Sequence, residues 1–130
     1  MKTGLVIYAG QLNRLADFYT AAFDLAVVEH SDESIVLRHG TFELVILETT
    51  ASSTLEHSSG PARPRESTPI KPAYFLDGDF ETIREQVITG GGSLSAPKSW
   101  KFNGNLVCDG WDPEGNIFQL RIHEARETDR

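Results

Sequence analysis

The stretch VIYAGQLNRLADFYTAAFDL, residues 6–25, changes its hydrophobic period partway along. As far as Ala9 it continues an apolar, β-forming run that starts at Thr3 and reads as a short buried strand. Beyond it, Leu12, Leu15, Ala16, Tyr19 and Phe23 recur at helical spacing, which predicts an amphipathic helix over 12–23. Three β-rich segments follow: LAVVEH (25–30), ESIVLRH (33–39) and TFELVILE (41–48). Ser31-Asp32 and His39-Gly40 supply turn chemistry between them, so tight hairpins are expected.

The same order then returns. IKPAYFLD (70–77) reads as a strand and Asp79 as an N-cap, and Phe80, Ile83, Val87 and Ile88 form the stripe of a second helix. Gly90-Gly91-Gly92 stops that helix. SLSA (93–96), NLVCDGW (105–111) and NIFQLRIH (116–123) are three further strands, the last entered through the turn Asp112-Pro113-Glu114-Gly115-Asn116. One shift carries Leu12, Leu15 and Tyr19 onto Phe80, Ile83 and Val87, and a larger one carries Phe42-Glu43-Leu44 onto Phe118-Gln119-Leu120. The chain therefore reads as one α+β domain made of tandem βαβββ modules, about 3–48 and 70–123. They are joined by a Ser-, Thr- and Pro-rich loop over 49–69, and the last residues, 125–130, are expected to fray. Each half puts a helix on one face of a curved mixed sheet. The other faces are expected to form a cup, with the helices outside and a ligand within.

Two segments, residues 6–25 and DPEGNIFQL (112–120), resemble the vicinal-oxygen-chelate superfamily: glyoxalase I, extradiol dioxygenases, fosfomycin-resistance enzymes and bleomycin-binding proteins. Phe18-Tyr19 matches the usual Phe-Tyr pair of its first helix, and the second segment resembles its Asp-Pro-x-Gly-Asn turn into the last strand. The resemblance covers roughly residues 3–123 and implies four metal-ligand positions. Two lie on the first strand of each half and are usually histidine or glutamine, and two lie on the last strands and are usually glutamate. They fall here on Gly4, Pro72, Glu43 and Gln119, and the neighbours Thr3, Leu5, Lys71 and Ala73 supply no better ligand. A catalytic metal site needs about three protein ligands. His30, His39, His57 and His123 are too scattered to complete one. No metal, no cofactor and no catalytic residue are expected.

Composition narrows the rest. At 130 residues, 39% hydrophobic and 24% charged, the chain can bury a core without cross-links. Its net charge of −7 argues against nucleic acid and suits a cationic ligand or simple solubility. A single cysteine, Cys108, excludes an internal disulfide, fits a cytoplasmic setting and reads as a small buried hydrophobe. No apolar run suggests a signal peptide or a membrane span. No Gly-x-Ser-x-Gly elbow or Walker loop occurs, Gly90-Gly91-Gly92 follows a helix rather than preceding one, and Arg63 and Arg65 do not make a basic patch.

Strand alternation assigns Val6, Tyr8, Glu43, Val45, Leu47, Tyr74, Leu76, Gln119, Arg121 and His123 to the face opposite the helices. Trp100, Phe102 and Trp111 are placed at its rim. The candidate ligand-binding set is Tyr8, Glu43, Tyr74, Trp100, Trp111, Gln119 and Arg121. Glu43 and Gln119 are expected to face each other on the floor of one cavity, with Glu43 hydrogen-bonded or raised in pKa. The function these features imply is metal-independent binding of a cationic or aromatic small molecule, in the manner of bleomycin resistance, by a homodimer. The alternative is a metal-dependent lyase, dioxygenase or thiol transferase of the same superfamily.

Overall fold

The computed structural model describes residues 1–49, 64–65 and 69–124. Most of the expected loop over 49–69, with His57 and Arg63, and the expected frayed end over 125–130 lie outside the described residues. The chain divides into two compact units, Met1–Gly60 and Pro61–Arg130, and the division falls inside the predicted loop.

In the first unit, β1 (Thr3–Ala9) is followed by α1 (Leu12–Phe23), β2 (Ala26–His30), β3 (Ser34–His39) and β4 (Phe42–Glu48). The sheet order is β1-β4-β3-β2, with β1 parallel to β4 and the other pairs antiparallel. The two hairpins form at the expected turns. The Ser31 hydroxyl accepts the backbone N–H groups of Glu33 (3.3 Å) and Ser34 (3.1 Å), and Gly40 (φ 58°) supplies the left-handed residue between β3 and β4. α1 packs on β3 and β4. Its apolar stripe (Leu15, Ala16, Phe18, Tyr19, Ala22 and Phe23) is buried, as are Ile35, Leu37, Leu44 and Ile46 of the sheet. Edge-on ring contacts of 5.1, 5.6 and 5.5 Å link Phe18, Tyr19 and Phe23. β1 is not the buried strand expected. Val6 and Tyr8 are 52% and 63% exposed, and only Ala9 is fully buried. The apolar run hid an alternation. Leu5 and Ile7 pair with the buried Leu44 and Ile46, while Val6 and Tyr8 lie on the opposite face.

The second unit runs β5 (Ala73–Asp77), α2 (Phe80–Thr89), β6 (Ser93–Leu94), β7 (Lys101–Phe102), β8 (Asn105–Trp111) and β9 (Ile117–His123). Its order is β5-β9-β8-β6, with β5 parallel to β9 and β7 paired to β8. Asp79 caps α2 as expected, its carboxylate accepting the Thr82 N–H at 3.1 Å. The N–H groups of Gly90, Gly91 and Gly92 close the helix onto Gln86, Ile88 and Val87. Only Ile83 and Val87 of the predicted stripe are buried; Ile88 is 46% exposed. β6 is shorter than predicted, and β7 was not predicted. Asn103 (φ 51°) and Gly104 (φ 81°) form the two-residue turn between β7 and β8.

The turn before β9 is built by Asp112, the one buried charged residue among those described. One carboxylate oxygen accepts the N–H groups of Glu114 (2.9 Å) and Asn116 (3.0 Å), and the other accepts the Asn116 side-chain amide at 2.8 Å. Gly115 takes φ 87° within it. An aspartate there satisfies backbone donors that would otherwise be buried unpaired, the physical reason this turn needs Asp and Asn at these positions.

Candidate functional site

Strand pairing fixes which side chains share each helix-free face. In the first unit Gly4, Val6 and Tyr8 pair with Glu43, Val45 and Leu47, and Glu43 also pairs with Arg38. This is the face the sequence assigned. The Arg38 guanidinium donates to Glu43 Oε1 at 2.8 Å, and Lys2 Nζ lies 3.6 Å from the same oxygen. The expected hydrogen-bond partner therefore exists, but a raised pKa does not. The Arg38 hydrogen bond, aided by the charges of Lys2 and Arg38, outweighs desolvation and holds the carboxyl below its ordinary value.

In the second unit the register is one residue away from that expected. Ala73, Phe75 and Asp77 pair with Gln119, Arg121 and His123, whereas Tyr74 and Leu76 pair with the buried Leu120 and Ile122. Tyr74 and Leu76 thus lie on the face opposite Gln119, and the Tyr74 ring is 6.0 Å from that of the fully buried Phe118. Phe75, 67% exposed, takes the predicted place of Tyr74. β5 starts at Ala73, three residues after the predicted start: Pro72 has no N–H to donate, although its carbonyl accepts the Gln119 N–H at 2.9 Å. The register equivalent of Gly4 is accordingly Ala73 rather than Pro72.

The most developed polar arrangement on this face centres on Asp109, which the sequence reading did not single out. β8 alternation puts Asp109 and Trp111 on the side of Gln119 and Arg121. Lys71 Nζ and Lys98 Nζ each lie 3.2 Å from the Asp109 carboxylate, on different oxygens. Gln119 Nε2 approaches Oδ1 at 3.4 Å, and Arg121 Nε donates to Gln119 Oε1 at 2.8 Å. Arg121 in turn stacks over Phe102 at 4.3 Å and lies 5.6 Å from the Phe75 ring centre. Desolvation pushes the Asp109 carboxyl up, but hydrogen bonds from Lys98, Lys71 and Gln119 outweigh it and the pKa is lowered. The sequence signal was present: an acid in the middle of an apolar strand, in phase with a tryptophan.

Beside this network lies a cavity of about 490 Å³. Pro64, Ile70, Lys71, Asp109, Trp111 and Ile117 line it. Trp111 is therefore among the residues that line a cavity. Trp100, 51% exposed in the bend before β7, is not among its lining residues. Cys108 is fully buried, and burial, followed by the charges of Asp109 and Glu124, raises its pKa to about 11, so it is no nucleophile at neutral pH.

The four positions where the resemblance implies metal ligands do not fit a divalent ion. Gly4, Pro72 and the register neighbour Ala73 carry no donor side chain, the Gln119 amide oxygen accepts from Arg121, and Arg38 holds the Glu43 carboxylate. Among the described residues, no three His, Cys, Asp or Glu side chains are grouped to hold a metal. No described helix is long and apolar enough to cross a membrane.

No family model matches the sequence, and no curated protein is found similar to it. Solved structures are similar in fold. A glyoxalase-related enzyme from Fulvimarina pelagi superposes with a TM-score of 0.68 at 22% identity, over 95% of this chain and 88% of that one. A glyoxalase/bleomycin resistance protein/dioxygenase family enzyme from Burkholderia phytofirmans PsJN gives 0.62 at 19% identity, over 92% and 95%. A genomically encoded fosfomycin resistance protein from Listeria monocytogenes gives 0.67 at 12% identity, over 97% and 91%. These likenesses, each spanning nearly the whole of both chains, show that this chain has the vicinal-oxygen-chelate fold of the glyoxalase and bleomycin-resistance proteins.

Proposed function

We propose that the chain is a metal-independent binding protein for a small organic molecule. The observation that carries this reading is the strand register. It pairs Gly4 with Glu43 and Ala73 with Gln119, which supports reading two of the four ligand positions implied by the resemblance as lacking a donor side chain. The two remaining positions, Glu43 and Gln119, are occupied by arginine partners. A cavity of about 490 Å³ lined by Trp111, Ile117 and Ile70 lies within the usual size range of a small-ligand site. Glu43 as counter-charge for a cationic ligand receives less support, because Arg38 and Lys2 already neutralise it.

The test is a small-molecule screen by thermal unfolding, run in parallel with EDTA and with added Mn²⁺, Ni²⁺ or Zn²⁺. The reading expects compounds that raise the melting temperature equally in both conditions. Stabilisation that appears only with an added divalent ion would move the chain to the metal-dependent enzymes. A homodimer remains part of the proposal. It is supported by β2, an edge strand exposed along its length with Val27 and Val28 at 52% and 47%. Sedimentation as a monomer at tens of micromolar would remove the dimer.

A further inference from the structure

We infer that the cavity on the helix-free face of the second unit binds a planar organic anion, with an aromatic carboxylate as the class that fits. The inference deepens the proposed small-molecule binding and rests on it. Its first support is the wall. Trp111, Ile117, Ile70 and the prolines Pro64 and Pro69 offer apolar surface suited to a flat ring.

The second support is the pair of lysines. Asp109 is a single carboxylate held by two ammonium groups, so the Lys71–Asp109–Lys98 cluster carries one positive charge in excess. Each ammonium has three donors, and the Lys71 and Lys98 side chains are 44% and 42% exposed, so donors are left for an incoming oxyanion. Asp109 would act as a positioning residue that draws the two lysines together.

The third support is the charge distribution. A chain of net charge −7 collects Lys71, Lys98 and Arg121 on this one face. The other acids near the face do not reverse the balance. Asp77 stands at the far end of β5, and Glu114, in the turn after β8, lies 4.0 Å from Arg65. A cation approaching Asp109 would meet both lysines, whereas a carboxylate would be attracted by them.

The experiment uses the full chain in EDTA and three probes of one shape: 2-naphthoate, 2-naphthylmethanol and 2-naphthylmethylammonium. Calorimetry gives affinities, and amide NMR gives the location. The expected result is a preference for 2-naphthoate, with shifts at Lys71, Asp109, Gly110, Trp111 and Ile117. Lys71→Met and Lys98→Met, made separately, should each weaken naphthoate roughly tenfold or more and leave the neutral probe unchanged. Asp109→Asn should tighten naphthoate, because it releases two ammonium groups; a cation site would instead lose its ligand. Circular dichroism melts check that each variant folds. Preference for the ammonium probe, naphthoate binding indifferent to both lysine substitutions, shifts confined to other residues, or no binding of any probe would each overturn the inference. In the last two cases, a compound from the general screen that binds elsewhere without metal would leave the broader reading standing. A screen with no metal-independent hit would remove both.

Discussion

The two units repeat one topology but differ in how they use it. In the first, α1 buries six side chains, three of them aromatic rings in mutual contact. In the second, α2 buries only Ile83 and Val87. The helix-free faces differ in the opposite sense. The first carries Glu43, already neutralised by Arg38 and Lys2, with Glu29 exposed in the same phase. The second carries Asp109 with two lysines, the Gln119–Arg121 bond, and a cavity. The backbone pairing repeats, β1 with β4 as β5 with β9, while the helix is packed more heavily in one unit and the polar network is more developed in the other.

The largest expected effect tests the packing half of that contrast. Phe18→Ala removes a ring that is 1% exposed and touches Tyr19 and Phe23, and should cost about 3–5 kcal/mol by denaturant unfolding. Ile83→Ala in α2 should cost about 2–3 kcal/mol, at the low end for an isoleucine, because Val87 is the one other side chain that α2 buries. Equal losses, or a larger loss at Ile83, would break the comparison.

Gly110→Ala sharpens it from the second unit. A Cβ there would stand 2.5 Å from the Ser93 carbonyl oxygen and 2.9 Å from Phe118, on the face away from the cavity. The expected loss is about 1–3 kcal/mol, with the strand pairing strained from behind. At Gly4 an added Cβ meets the Glu43 carbonyl oxygen at 3.2 Å and the Glu43 Cβ at 4.0 Å, both longer than the contacts at Gly110, so Gly4→Ala should cost less than Gly110→Ala in the same unfolding assay.

Much of this was legible in the sequence, for identifiable reasons. Leu12 through Phe23 showed helical spacing because one face of α1 is buried. Asp79, Ser31 and Gly40 announced a cap and two turns because few residues suit those positions. The missed strand β7 had its own signal, Asn103-Gly104, in a segment too short to show alternation. The site was harder to read, because it depends on register. One residue at the start of β5 decides whether Tyr74 or Phe75 stands beside Arg121, and no local pattern counts that residue. The ion-pair partners of Glu43 and Asp109 were missed for a different reason. Arg38 pairs across a turn, but Lys71 and Lys98 reach Asp109 from outside the strands, where periodicity carries no information.

Acid titration gives the smallest expected effect. The folded-state pKa of Asp109 lies below its unfolded value, so its contribution is present above about pH 3.9 and fades as pH falls through the folded value. Asp109→Asn should therefore reduce the loss of stability as pH falls below about 4. With partners more than 40% exposed, the change should stay below about 1 kcal/mol. A steeper acid loss in the variant would contradict the assignment of the two lysines as its stabilising partners.

The central claim is that this copy of the fold works without a metal, and the metal content of the protein tests it most directly. Protein purified without chelator, analysed by plasma emission and then titrated calorimetrically with Mn²⁺, Ni²⁺ and Zn²⁺, should hold no stoichiometric ion and show no saturable binding. About one transition-metal ion per chain, lost on Glu43→Ala, would contradict the claim and return the chain to the metal-dependent members of its fold.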